Sequence, residues 1–182
     1  MANLYVSNIK ERLWPRGGGR DVWMIVDAAR DRRIFGMLLD SYLRYSCLYH
    51  GDLAPELELA APYLVQLEYD DKYSQQLIER AWGHSWGVFL KCGSSDASLR
   101  RHLRKLLSVR GPKGEILLFR YYDPRVLRVY LPTCRPEELE TVFGPIDRFW
   151  LEDESPETMV EFRVDRGRLL RNELPVAAKA EV

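Results

Sequence analysis

Two acid–arginine constellations are the candidates for chemistry in this sequence. Asp27 and Arg30 follow the apolar run Val22–Val26, and Arg120, Asp123 and Arg125 bracket the Asp-Pro step at Pro124. In an open α/β sheet the end of a strand is where ligands bind, so an acid and an arginine at that edge could form a site. The same residues have a plainer use. Asp27 can cap the turn that follows it while Arg30 pairs with a nearby acid. Asp123 can cap a helix and take Arg120 or Arg125 in a charge-assisted bond. Neither group contains the nucleophile–base pair that covalent catalysis needs.

Other chemical signatures are missing from the sequence. It has no phosphate-binding GxxxxGK[ST] loop and no GxSxG elbow. The run Gly17-Gly18-Gly19 precedes the first strand instead of following it, so it reads as a hinge and not as a dinucleotide fingerprint. Cys47 and His50 have a ligand-like spacing, but no second pair completes four ligands. His84 lies between Trp82 and Trp86 and reads as a packed or rim histidine. The expectation is a protein with no catalytic residues, no cofactor and no metal.

Composition narrows the class further. Of 182 residues 46% are hydrophobic and 12% aromatic, enough for a sizeable core. Lys plus Arg equals Asp plus Glu at 27 each, which argues against a general nucleic-acid coat. No uninterrupted apolar run exceeds Val22–Val26, so no membrane span is expected. Residues 1–20 lack an apolar signal core, and three widely spaced cysteines suit reduced thiols. A cytoplasmic location is therefore expected.

Charge is segregated along this neutral chain. From Lys91 to Lys113 there are seven Lys or Arg against one acid, Asp96. Asp52 to Asp71 holds six acids and no cation, and Glu137 to Glu161 holds nine acids with Arg148 alone. The basic stretch is centred on a helix expected at 97–109. Leu99, Leu103, Leu106 and Leu107 form its apolar face, and Arg100, Arg101, Arg104 and Lys105 its exposed one. Those four cations are candidate partner-binding residues, because segregated charge steers docking between proteins. The alternatives are a solvated face, blocks that pair with one another, or an anionic surface or nucleic acid as the ligand.

The elements that must position these groups follow from periodicity. Val22–Val26 reads as a buried strand closed by Asp27, and a helix follows from Arg32 to about Leu43. Strands are expected at Tyr45–Tyr49, at Tyr63–Leu67 behind Pro62, at Ser85–Lys91 and, buried, at Ile116–Tyr121. A helix at Asp71–Trp82 and short helices after Pro124 and Arg135 complete the pattern. Phe149–Leu151 and Thr158–Val164 could form an antiparallel pair. Strands alternating with helices predict an α/β fold with a mixed, mostly parallel sheet and flanking helices. The divisions expected are a polar N-terminal arm over 1–20, an α/β domain over 21–143, and a C-terminal extension over 144–182 that is a loose tail from about Arg168.

One ordered set of motifs carries a resemblance. It runs Val26-Asp27 with Arg30, Leu48-Tyr49-x-Gly51 and Ala61-Pro62-Tyr63-Leu64-Val65. Trp82-Gly83-x-x-Trp86-Gly87, Leu99-x-x-x-Leu103-Arg104 and Phe119-Arg120-Tyr121-Tyr122-Asp123-Pro124-Arg125-Val126-Leu127 follow. In this order, over about Asp21 to Phe143, the chain resembles the type VI secretion effector adaptor, or chaperone, family. The resemblance implies a non-enzymatic protein that binds a cognate toxic effector in the producing cell. It would help load that effector onto the VgrG-like spike-tip protein of a contractile injection machine. It carries no catalytic residues over, so Asp27, Arg30, Pro62, Trp82, Trp86, Arg120, Asp123, Pro124 and Arg125 are read first as fold markers. A rival reading is an enzyme with an unfamiliar site around Asp27, Arg30, Arg120 and Asp123. A deep, wet cleft there would favour it, and mutual pairing in a buried corner would oppose it.

Overall fold

A computed structural model of the chain describes residues 2–15, 17, 19 and 21–177. Helix α1 (Ala2–Leu13) is followed by β1 (Val22–Asp27), α2 (Arg33–Leu39), β2 (Tyr45–Cys47), α3 (Pro55–Glu58), β3 (Pro62–Gln66), α4 (Lys72–Ala81) and β4 (Gly87–Lys91). Then come α5 (Asp96–Leu106), β5 (Ser108–Arg110), β6 (Ile116–Leu118), α6 (Pro124–Tyr130), α7 (Pro136–Phe143), β7 (Arg148–Glu152), β8 (Thr158–Asp165) and β9 (Arg168–Pro175).

Seven strands form one sheet in the order β2-β3-β1-β4-β7-β8-β9, and every neighbouring pair is antiparallel. This corrects the expectation of a mostly parallel sheet. The runs that suggested parallel strands report burial on both faces, which parallel sheets usually require. Here an antiparallel sheet meets the same condition. Val22, Met24 and Val26 of β1 pack on one side with Val6, Ile9, Leu13, Ile34, Leu38, Leu77 and Ile78, from α1, α2 and α4. Trp23 and Ile25 pack on the other with Leu99, Leu103, Leu127, Leu139 and Val142, from α5, α6 and α7. Helix α4 does join two parallel strands, β3 and β4, but β1 lies between them and runs against both.

Three further expectations change. The segment read as a polar arm is mostly helix, with Ile9, Leu13 and Trp14 in the core and α1 packed on α4. Its apolar residues recur at helical spacing among polar ones, so average polarity hid the buried stripe. The proposed hinge falls partly on residues 16, 18 and 20, outside the described residues. The segment read as a tail from Arg168 is β9, paired with β8 from Asp165↔Arg168 to Thr158↔Pro175. Behind it Val176 is buried and its carbonyl accepts Asn8 Nδ2 at 2.9 Å, which ties the C-terminal strand to α1. Residues 178–182 of the expected tail lie outside the described residues.

Finally, Ile116–Leu118 is not a buried strand of the main sheet. It pairs only with β5, in a two-stranded hairpin whose six paired residues are all exposed. The antiparallel pair of β7 and β8 forms as expected.

Candidate functional site

One edge of the sheet gathers the motif residues. β1 ends there at Asp27, β3 begins at Pro62, β4 begins at Gly87, and β7 ends at Glu152. The Asp27 amide donates to the Trp86 carbonyl at 2.7 Å, and Asp27 stands opposite Pro62 in the register of β1 and β3. A Cβ on Gly87 would sit 1.9 Å from the Ile25 carbonyl oxygen, so this strand start admits glycine alone.

The Asp27 side chain is almost wholly buried. Its Oδ1 accepts the Ala29 amide at 3.1 Å, which starts a single 3-10 turn, and its Oδ2 takes the Arg120 guanidinium. Arg120 remains 42% exposed, so the pair spans the boundary between core and water. The carboxylate bond holds the Arg120 guanidinium above its ordinary pKa.

Asp123 repeats the device at the start of α6. Oδ1 accepts the Arg125 amide at 3.0 Å and Arg125 Nε at 2.9 Å, and Oδ2 accepts Arg125 Nη2 at 2.6 Å. Pro124 occupies the first helical position, where its missing N–H costs nothing. Burial pushes the Asp123 carboxyl up, but the Arg125 bonds more than offset it, and the group lies below the ordinary carboxylate range. The same pairing raises Arg125, which is 52% exposed. Beside them, Tyr121 and Tyr122 are fully buried and burial raises both phenols; Tyr121 Oη donates to the Leu103 carbonyl at 2.9 Å.

Glu152 completes this edge, and the motif reading missed it. Its Oε2 accepts the Gly83 amide at 2.5 Å, and its Oε1 accepts the Ser85 amide and the Ser85 hydroxyl, each at 2.7 Å. Gly83 and Ser85 both have positive φ, at 80° and 53°, so the carboxylate holds a sharply turned loop in place. Trp82 and Trp86 flank that loop and are buried; Trp82 Nε1 donates to the Pro156 carbonyl at 2.6 Å. His84, between them, is exposed, with Nδ1 3.2 Å from the Trp82 carbonyl. Exposed Arg30 reaches the His84 carbonyl at 3.5 Å and acts on Asp123 through space. The available signal for Glu152 was a lone acid closing the apolar strand Arg148–Glu152.

The structure therefore brings Asp27, Arg30, Arg120, Asp123, Arg125, Trp82 and Trp86 to one corner and spends the acids on neighbouring arginines or on a helix start. The corner neutralises and orients its own groups. It joins β1 to the segment before α6 and leaves the outer faces of Arg30, Arg120 and Arg125 toward water.

The candidate basic residues lie elsewhere, on α5. Ser95 caps this helix, and Leu99, Leu103 and Leu106 are its buried stripe. Arg101 and Lys105 are exposed and Arg100 half-buried. Arg104 departs from the expectation of a free exposed cation. Its Nη2 donates to the carbonyls of Cys47 and Tyr49 at 2.9 and 3.0 Å, and its Nη1 lies 3.4 Å from His50 Nδ1. It flanks the buried stripe on the side facing the loop after β2, whose carbonyls need donors. Cys47 and His50 thus border an arginine. Among the described residues no group of three or more His, Cys, Asp or Glu is placed to hold a metal ion. Burial raises the thiols of Cys47, Cys92 and Cys134 above their ordinary pKa. Among the described residues no helix is long and apolar enough to cross a membrane.

Comparison with known proteins gives a family. No curated protein matches the chain, and no solved structure matches it. One family model does, over residues 22–141, from the first residue of β1 to within two residues of the end of α7. That span holds both acid–arginine pairs, the two-tryptophan loop and α5, and it exceeds half of the chain: the protein belongs to the family described as a domain of unknown function, DUF4123.

Proposed function

We propose that this protein is a non-enzymatic adaptor of the cytoplasm. It binds a cognate type VI secretion effector and helps to load it onto a VgrG-like spike protein. The reading rests on the resemblance of the ordered motifs to type VI adaptors, and the family match spans the same segment. One structural observation carries it against the enzymatic alternative. The motif acids Asp27 and Asp123 are buried against Arg120 and Arg125, so they act as braces and not as groups converging on a substrate. A brace that fixes the edge of the sheet suits a protein whose work is to present a surface.

Co-expression with the effector encoded beside its gene, followed by size-exclusion chromatography, tests the proposal. The expected result is co-elution at micromolar concentration and a higher cellular level of the effector. Separate elution with no change in effector level would remove the adaptor reading. Strongly salt-dependent binding to DNA or to anionic vesicles would point to a nucleic-acid or surface binder instead.

A further inference from the structure

The β5–β6 hairpin breaks the pattern of the rest of the molecule. Val109, Ile116, Leu117 and Leu118 are all exposed, Ile116 to 75%. Side chains alternate along a strand, so Ile116 and Leu118 share one face of the ribbon while Val109 and Leu117 share the other. Both faces carry apolar side chains, the first with Ser108 and Arg110 beside them, and among the described residues neither is covered. A two-stranded hairpin is at best marginally stable in water on its own. This one is held at its base, where the Phe119 amide donates to the Leu107 carbonyl at 2.8 Å and the Phe119 ring packs edge-on against Tyr130 at 4.6 Å.

Among the described residues its outer edge is open as well. The Phe119-to-Leu107 and Gly111-to-Glu115 backbone bonds set the ladder's phase, and antiparallel pairs alternate between bonded and non-bonded. Ile116 and Leu118 therefore turn their N–H and C=O groups outward. That is an open template for another strand.

Charge says what kind of strand. Several cations elsewhere are matched: Arg33 with Asp31, Arg44 with Asp96, Lys91 with Asp21, Arg135 with Glu138, Arg148 with Glu161 and Arg171 with Glu173. Arg101 and Lys105 on α5, and Arg110 and Lys113 on the hairpin, have no ion-pair partner among the described residues. Glu115 is turned back onto the Lys113 amide at 2.9 Å.

We infer that the hairpin docks an extended, apolar segment of a partner protein, flanked by carboxylates, which adds as a third strand along β6 while its acids meet the cations of α5 and the hairpin. The main-chain bonds would supply affinity, the exposed Ile and Leu side chains would bury apolar area, and the unmatched cations would select acidic partners. The inference rests on the adaptor reading for the identity of the partner, but not for the chemistry of the surface.

The test separates the two. A soluble strand-forming peptide alternating Val and Glu is titrated into the full-length protein, with a Val–Lys peptide as control, while amide hydrogen exchange is followed over 108–119. The acidic peptide should slow exchange at Ile116 and Leu118 by about tenfold when present at ten times its dissociation constant. The basic peptide should not. Ile116→Pro removes an outward N–H and no internal ladder bond, so it should abolish this protection with little change in melting temperature. Should that variant melt early, Ile116→Thr keeps a strand-forming residue and should still weaken the peptide. Equal effects of both peptides, or no protection by either, would overturn the inference. So would peptide-independent protection that grows with protein concentration, because it assigns the hairpin to a second copy of the chain. The same variants mixed with the effector then discriminate further. Wild-type binding that survives Ile116→Pro refutes the hairpin alone, whereas a wild type that ignores the effector refutes the adaptor reading and leaves the peptide result standing.

Discussion

The buried carboxylate of Asp27 is neutralised by Arg120, a residue ninety-three positions further along the chain. The pair links β1, an inner strand of the sheet, to the segment that enters α6, across everything that α4, β4, α5 and the hairpin contribute between them. Sequence-distant pairing of this kind makes the motif a feature of the folded state.

Asp123 should matter more for its shape than for its charge. Asp123→Ala removes the cap on the Arg125 amide, a loss of about 1 kcal/mol, and strands a guanidinium that water still reaches. In a chain of this size each kcal/mol lowers Tm by roughly 2–4 °C. Asp123→Asn keeps an acceptor for the cap and should melt closer to wild type. Thermal melts of the two variants check this. Equal losses would show that the charge carries the stability, and a wild-type melt from either together with loss of partner binding would show that the corner is an interface.

Glu152→Ala should destabilise more strongly. It removes the carboxylate that accepts from the amides of Gly83 and Ser85, and hydrogen bonds to a charged group contribute about 1.5–3 kcal/mol each. The loop between Trp82 and Trp86 should then open locally. Hydrogen exchange read at Gly83 and Ser85 should rise well before global unfolding does.

The protein should lose stability on the acid side. Asp123 and Glu161 both lie below their ordinary values in the fold. Burial raises each, but the Arg125 bonds on Asp123 outweigh it, as do the Asn172, Arg148 and Trp150 bonds on Glu161. A carboxyl that is more acidic folded than unfolded stabilises fully above its unfolded value, about 4, and loses that contribution as pH falls through the folded one. Denaturant midpoints should be flat above about pH 5 and drop below about pH 4. Asp123→Asn should flatten that drop. A midpoint that rises on acidification would contradict the assignment.

Neighbouring cations on α5 should separate into two kinds. Arg104→Ala removes a charged donor from the Cys47 and Tyr49 carbonyls, and bonds of that class contribute about 1.5–3 kcal/mol. Reversal of Arg101 and Lys105 to Glu should leave the melt nearly unchanged, because neither has an ion-pair partner among the described residues. It should instead slow association with an acidic partner at low salt, an effect that fades as the Debye length shrinks. Stopped-flow rates against salt read the difference.

Much of this architecture is legible in the residues. Val22–Val26, the leucine stripe of α5 and the Asp-Pro start of α6 announce themselves by spacing and cap chemistry. Strand direction does not, because an apolar run reports that both faces are covered and is silent on which neighbour it meets. Glu152 is equally silent, since its partners Gly83 and Ser85 lie 69 and 67 residues away. Arg104 differs from Arg101 only in the loop that happens to face it. Ile116–Leu118 reads as core because apolar residues usually are, and only the topology places it outside the main sheet.

If the protein is an adaptor, effector and spike protein meet through this chain. Purified effector and VgrG-like spike protein should be mixed with and without it, and their association followed by analytical ultracentrifugation. A ternary complex should form only when this chain is present and should be weakened by the Arg101 and Lys105 reversals. An effector that joins the spike equally well without this chain, while the chain sediments alone, would contradict the proposed adaptor role.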